Sequence, residues 1–250
     1  MLNKMKPLLL VHDNAFAYKE NTSVRDNAKV HCKSKYLLKM DFKDFFPSIT
    51  PSLLFQEFER AGVFWNEDDK VLISNVFFFK LRPNSSLRLS IGAPSSPLIS
   101  NFIMHSFDSI ISKLCAQLSV KYTRYADDIV FSSCKKNVLF DFPKLVKEVL
   151  KDDGYEKLKV HKEKTVFSSR AHNRHITGVT LSNDGSLSVG RNKKRLLSAS
   201  IHSFIFNKIE VNEIAKLRGQ LSFAFFIEPR FKEQIKRKYG EDVLARLFRK

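Results

Sequence analysis

The chain has 250 residues, 43% of them hydrophobic and 12% aromatic, with 23 Phe against one Trp. That is enough apolar mass for a real core in one or two compact units, and too much for a disordered chain. The formal charge is +17, from 43 basic and 26 acidic side chains, an excess that points to a polyanionic partner, nucleic acid first of all.

No stretch approaches 18 apolar residues, so no membrane span is expected. The opening apolar run is too short for a signal segment with a cleavage site. Cys32, Cys115 and Cys134 are widely spaced. They lack CxxC or Cys/His spacing, which supports neither a zinc site nor a disulfide framework and fits a reducing cytoplasm.

Residues 14–35 are polar and basic. Residues 36–42 form a short apolar run that delivers Asp41 at its end, as a buried strand does. Pro51 fits the first turn of a helix running to about Ala61, and a second helix is predicted over 67–80. Gly92-Ala-Pro-Ser-Ser-Pro97 breaks the chain before a long helical pattern at 98–118.

Strands are predicted at Tyr122–Tyr125 and Ile129–Ser133, which places Asp127 and Asp128 at the tip of a hairpin. Adjacent carboxylates repel, and burial worsens the repulsion; a divalent cation with oxygen ligands relieves it. Asp68-Asp69 and Asp152-Asp153 are also paired acids, but they sit at polar helix ends and read as solvated.

An amphipathic helix is predicted over 138–151. Strands at 175–181 and 186–189 flank the hairpin signal Asn183-Asp184-Gly185. From 191 onward the pattern is helical, with 15 Lys/Arg against 6 Asp/Glu, so the last quarter holds +9 of the +17.

Asp41 is the best candidate for a third acid. Phosphoryl transfer uses two cations about 4 Å apart; carboxylates from two neighbouring strands can hold both, and Asp41 with Asp127 could do this in a mixed sheet.

In this order the residues resemble the palm of reverse transcriptases. Asp41-Phe-Lys-Asp-Phe-Phe46 looks like their motif A, Gly92 to Pro97 like motif B, and Tyr125-Ala-Asp-Asp128 like motif C. Lys164 stands where motif D carries a lysine, and the hairpin at 175–189 where the primer grip lies. Asn27-Ala-Lys-Val-His31 and Ile176-Thr-Gly178 narrow the likeness to the bacterial retron type. The resemblance covers about residues 13–250.

The resemblance implies an α+β right-hand polymerase with fingers, an antiparallel palm sheet with packed helices, and a small helical thumb. Residues 1–35 would be the N-terminal and fingers segment, 36–190 fingers and palm with motifs A to E, and 191–250 the basic thumb. It implies an RNA-directed DNA polymerase that copies a cognate structured non-coding RNA into single-stranded DNA, in an anti-phage system with an effector protein.

Asp41, Asp127 and Asp128, with the Phe42 backbone, would ligate two Mg2+ ions, and Lys164 would serve the leaving pyrophosphate. Asp44, Phe45, Phe46, Ile91, Gly92 and Arg25 would line the dNTP, with Lys19 a further triphosphate contact and Phe46 the gate against a ribose 2′-OH. Asn27, His31, Thr177 and Gly178 would recognise the RNA, while Arg191, Lys193, Lys194, Arg195, Lys236, Arg237 and Lys238 would touch phosphates.

Motif B departs from the family, with Ile91 where Gln is usual. That departure motivates the alternative, a catalytically weak RNA-binding scaffold of the same fold.

Overall fold

A computed structural model describes residues 2–249. The chain divides into two compact units, Met1–His172 and Asn173–Lys250.

The first unit is built on a five-stranded sheet centred on the strand Tyr36–Lys43. On one side this strand pairs antiparallel with Asp128–Ser133, which pairs in turn with Lys121–Tyr125. On its other side lie Val166–Ser169 and, at its C-terminal end, Lys159–Val160. Leu37, Leu38, Met40 and Phe42 of the central strand are buried, as are Ile129, Val130 and Phe131 opposite.

Much of the phenylalanine excess goes into this core. Phe45, Phe58, Phe102, Phe107 and Phe142 join Phe42 and Phe131 in one cluster, each worth roughly 1.5–3 kcal/mol of burial.

The helix predicted from Pro51 spans Pro51–Arg60. The next covers Glu67–Phe77, capped by Asn66, and stops because Phe78–Phe79 pair with Arg88–Leu89. The expected single helix at 98–118 is two, Ser96–Ile103 and His105–Leu118. The buried carboxylate of Glu57 takes the Ser106 amide and hydroxyl at 3.0 and 2.8 Å, which anchors the start of the second helix. The helix expected over 138–151 begins later, at Phe142–Asp152, with Pro143 in its first turn.

Asp68 and Asp69 lie in the first turn of their helix, where acids favour the dipole. Asp153 is not simply solvated, because Arg60 reaches it at 3.3 Å.

The second unit starts with a three-stranded sheet. The strand expected at 175–181 is split into Arg174–Ile176 and Val179–Leu181, and Leu187–Ser188 pairs with the latter. Four helices follow, Arg191–Ile205, Val211–Ile227, Pro229–Tyr239 and Glu241–Phe248. They bury Leu197, Ile201, Leu221, Ile227, Phe231 and Leu247. Among the described residues no helix is long and apolar enough to cross a membrane.

Candidate active site

The central strand carries Asp41 to its end, where Asp41 stands opposite Asp128 in the antiparallel register. The Phe42 amide donates to the Asp127 carbonyl at 3.0 Å, and the His161 amide donates to the Asp41 carbonyl at 2.7 Å. Three carboxylates are thereby brought to one end of the sheet by backbone pairing. Ala126 and Asp127 form the two-residue turn of a hairpin closed by Tyr125 and Asp128.

In that turn Ala126 has φ +56°, a conformation that favours glycine. What holds it is Arg124, which is fully buried. Its guanidinium donates to the Ala126 carbonyl at 3.1 Å, to Asn101 Oδ1 at 3.1 Å, and to Asp108 at 2.7 and 2.9 Å. Tyr122 Oη donates to Asp108 Oδ1 at 2.7 Å. Sequence reasoning missed this network. Its signal was Asp108, an acid set within the apolar face of a helix, where only a buried partner makes it tolerable.

A cavity of about 310 Å³ opens beside the acids. It brings together the predicted Asp41, Phe42, Asp44, Phe45, Phe46, Ile91, Asp127 and Lys164, and adds Lys43, Pro47 and His161. Ile91 is 73% exposed. The Phe42 and Phe45 rings are core, and Phe46 is half-buried with its ring 5.3 Å from Phe45, edge to face. Asp44 is exposed, with φ +47°. Gly92 turns the chain at φ +88° next to Ile91.

Lys164 Nζ lies 2.9 Å from Asp41 Oδ1, and its own proton is held more tightly through that bond. Burial raises the Asp127 carboxyl above the ordinary range, and the nearby Asp41 charge raises it further. Burial and then the charges of Asp127 and Asp41 do the same to Asp128.

Among the described residues no set of three His, Cys, Asp or Glu side chains is gathered closely enough to hold an ion. The donor chemistry nevertheless fits a hard divalent cation. Three carboxylates share one sheet end, their charges disfavour one another's ionisation, and a lysine ammonium stands on Asp41 as counter-charge.

The remaining predicted residues lie elsewhere. Arg25 is half-buried on the helix Val24–His31, and Lys19 pairs with Asp13 at 2.9 Å. Asn27 and His31 are fully buried, so neither side chain is open to RNA. His31 Nδ1 lies 2.7 Å from Ser132 Oγ and Nε2 lies 2.8 Å from Thr123 Oγ1. It thus ties both strands of the acid hairpin to the helix.

Burial pushes the His31 imidazole down to about 3. Because the folded value lies below that of a free imidazole, this contribution to stability is complete above about pH 6.5. It is lost as pH falls from 6.5 toward 3. Between pH 7 and 5 the wild type is expected to lose about 2 kcal/mol more than His31→Gln. Urea unfolding at the two pH values checks this, and equal losses in both proteins would refute it.

In the second unit, Thr177 and Gly178 form the two-residue turn between Ile176 and Val179. Their φ values of +45° and +80° suit a mirror-image hairpin turn. A β-branched residue is out of place there, and the buried Thr177 hydroxyl has no partner among the described residues. Arg191, Arg195, Arg237 and Lys238 are exposed. Lys194 is engaged by Glu228 and Lys236 by Glu241, while Lys193 lies over the Phe223 ring.

The family model described as "Reverse transcriptase (RNA-dependent DNA polymerase)" matches residues 1–181. The chain is 43% identical over 236 residues to the Retron Ec83 reverse transcriptase of Escherichia coli, spanning 94% of this chain and 76% of that protein. It is 31% identical to the Retron Ec73 reverse transcriptase of the same species, spanning 97% and 79%. Among solved structures, apo telomerase from Candida tropicalis matches with a TM-score of 0.51 at 12% identity, covering 98% of this chain and 51% of that one. A likeness at that identity speaks for the fold.

Proposed function

This chain belongs to the reverse transcriptases, as an RNA-directed DNA polymerase of the bacterial retron type with the right-hand polymerase fold, and we propose that its product is a single-stranded DNA copied from a cognate structured non-coding RNA. The observation that carries the catalytic part is the meeting of Asp41 with the Asp127–Asp128 turn across one antiparallel register, beside the cavity.

The family implies dependence on a divalent cation; we assign two Mg2+ ions to Asp41, Asp127 and Asp128, with the Phe42 backbone. When bound, such cations lower the pKa of the attacking hydroxyl and neutralise charge on the transferring phosphoryl group. The primer 3′-oxygen forms a bond to the α-phosphorus of a dNTP, and the bond to pyrophosphate breaks. Lys164, already paired with Asp41, would protonate or neutralise that leaving group. Asp44, Phe45, Phe46, Ile91 and Gly92 line the nucleotide, with Arg25 reaching it from the fingers.

We read residues 1–35 as the N-terminal and fingers segment, 36–190 as fingers and palm, and 191–250 as the thumb. The exposed cations of the second unit would contact phosphates, and Thr177 with Gly178 the RNA. The resemblance carries the rest of the reading, which is a cytoplasmic anti-phage system with an effector protein partner.

Phe46 is read as the gate that excludes a ribose 2′-OH. Phe46→Ala is expected to raise ribonucleotide incorporation relative to deoxynucleotide by about 10-fold or more, the scale of a few kcal/mol of lost steric discrimination. Single-nucleotide primer extension with matched NTP and dNTP measures the ratio. An unchanged ratio removes the gate assignment and leaves Phe46 as packing against Phe45.

A further inference from the structure

At the end of the central strand remote from Asp41 a second cavity, of about 260 Å³, opens on the surface of the first unit. Tyr36, Leu37, Leu139, Phe140, Phe167 and His172 are among its walls. Asp41 lies five residues farther along the same strand, about 17 Å away at strand rise, so the two cavities are separate.

Two features of this cavity call for a ligand. Phe140 is 62% exposed and Phe167 43% exposed, with ring centroids 5.2 Å apart and planes tilted by 51°. Each ring therefore offers surface to solvent at the same place. Such paired exposure is unfavourable in water and marks a contact surface.

The second feature is charge. The three segments that meet here, 32–37, 134–140 and 166–172, contain Lys33, Lys35, Lys135, Lys136 and Arg170 and no Asp or Glu. Their backbones are tied together. The Lys35 amide donates to the Ser133 carbonyl, the Arg170 amide to the Lys35 carbonyl, and the Arg170 guanidinium to the Lys33 carbonyl. All four lysines are exposed. The acid nearest in sequence is Asp141, beyond Phe140.

Aromatic faces beside cations, here Lys136 in the cavity wall and the others on the segments around it, are the combination that binds single-stranded nucleic acid. Bases stack on the rings and phosphates meet the cations. The cavity is smaller than the roughly 300–1,000 Å³ of a drug-sized site, which suits one flat ring better than a peptide segment.

We propose that this cavity holds an unpaired base of single-stranded RNA, stacked on Phe140 and Phe167 with flanking phosphates on Lys35, Lys136 and Arg170. It is a holding point for template RNA outside the catalytic cavity. The choice of RNA over another single strand rests on the RNA-directed activity; the stacking site itself does not.

The test uses the full chain with its catalytic cavity saturated by a short primer–template duplex. A fluorescent 12-nucleotide unstructured RNA and its DNA counterpart are titrated by anisotropy, and a 5-iodouridine version of the RNA is photo-crosslinked and mapped. The proposal expects crosslinks at Phe140 or Phe167. It also expects Phe140→Ala to weaken RNA binding by about 5- to 150-fold, the stacking of one base.

Phe140→Leu, which keeps the apolar volume without the ring face, is expected to weaken binding too, and melting curves confirm that both variants fold. Unchanged binding in both variants, or crosslinks confined to other residues, would overturn the site. Tighter binding of the DNA oligonucleotide than of the RNA here would overturn the RNA assignment. A chain that bound RNA here yet made no DNA would sink the polymerase reading and leave this site standing.

Discussion

Asp127→Asn is expected to lower RNA-templated DNA synthesis by on the order of 10³-fold, the loss typical when one group that stabilises transition-state charge is removed. The folded protein is expected to melt at the same temperature or higher. The two outcomes share one cause. Burial and the Asp41 charge raise the Asp127 carboxyl, so its ionised form is held at a cost to the fold; an amide of the same shape removes the charge and the repulsion. A group whose loss damages activity without damaging stability serves the reaction. Single-turnover primer extension and a thermal melt on the same preparation measure both. Activity within tenfold of wild type, or a fall of many degrees in melting temperature, would contradict this account of Asp127.

Asp108→Ala has the largest expected effect on stability, a loss of about 3–5 kcal/mol. Arg124 and Asp108 are both wholly enclosed and 2.7 Å apart, and removal of the carboxylate strands a guanidinium in the core. Against a total stability of roughly 5–15 kcal/mol for a domain, that loss is a large fraction of the whole.

Arg124→Met in the same chain removes the stranded charge, so the double variant is expected to recover part of the loss. It is not expected to recover synthesis, because the guanidinium also holds the Ala126 carbonyl in the turn that presents Asp127. Urea unfolding of the single and double variants gives the coupling. If Asp108→Ala cost under 1 kcal/mol, the pair would be incidental to the fold.

The acids were legible because their surroundings were. Strand-forming residues on both sides of Asp127-Asp128 announced a hairpin tip, and an apolar run ending in Asp41 announced a strand that could meet it. The register bringing Asp41 opposite Asp128 follows from which faces are buried, and local pattern alone does not count it out.

The helix boundaries that differed did so for tertiary reasons. Glu57 anchors the helix that begins at His105 through the Ser106 amide, and Phe78–Phe79 leave their helix to pair with Arg88–Leu89. Neither partner is visible within a short window.

The RNA contact expected of His31 rests on the family resemblance. The structure buries His31 between Ser132 and Thr123, two hydroxyls that single-sequence reading had no reason to join to it. The Arg124–Asp108 pair escaped for the same reason, since an ion pair between two elements has no local periodicity. The phosphate contacts proposed for the second unit's cations rest on net charge and on the resemblance, and two of the seven, Lys194 and Lys236, already hold acidic partners.

The most direct test of the central claim is metal-dependent synthesis by the wild-type chain. Purified protein is stripped with EDTA, mixed with its cognate RNA and dNTPs, and titrated with MgCl2 while labelled DNA is resolved on a gel. The account predicts no product in EDTA, recovery of RNA-templated DNA with added Mg2+, and only on the order of a thousandth of that recovery by Asp41→Asn or Asp127→Asn at any Mg2+ concentration. DNA synthesis that persists in EDTA, or that stays within tenfold of wild type in the Asp127→Asn protein, would contradict it.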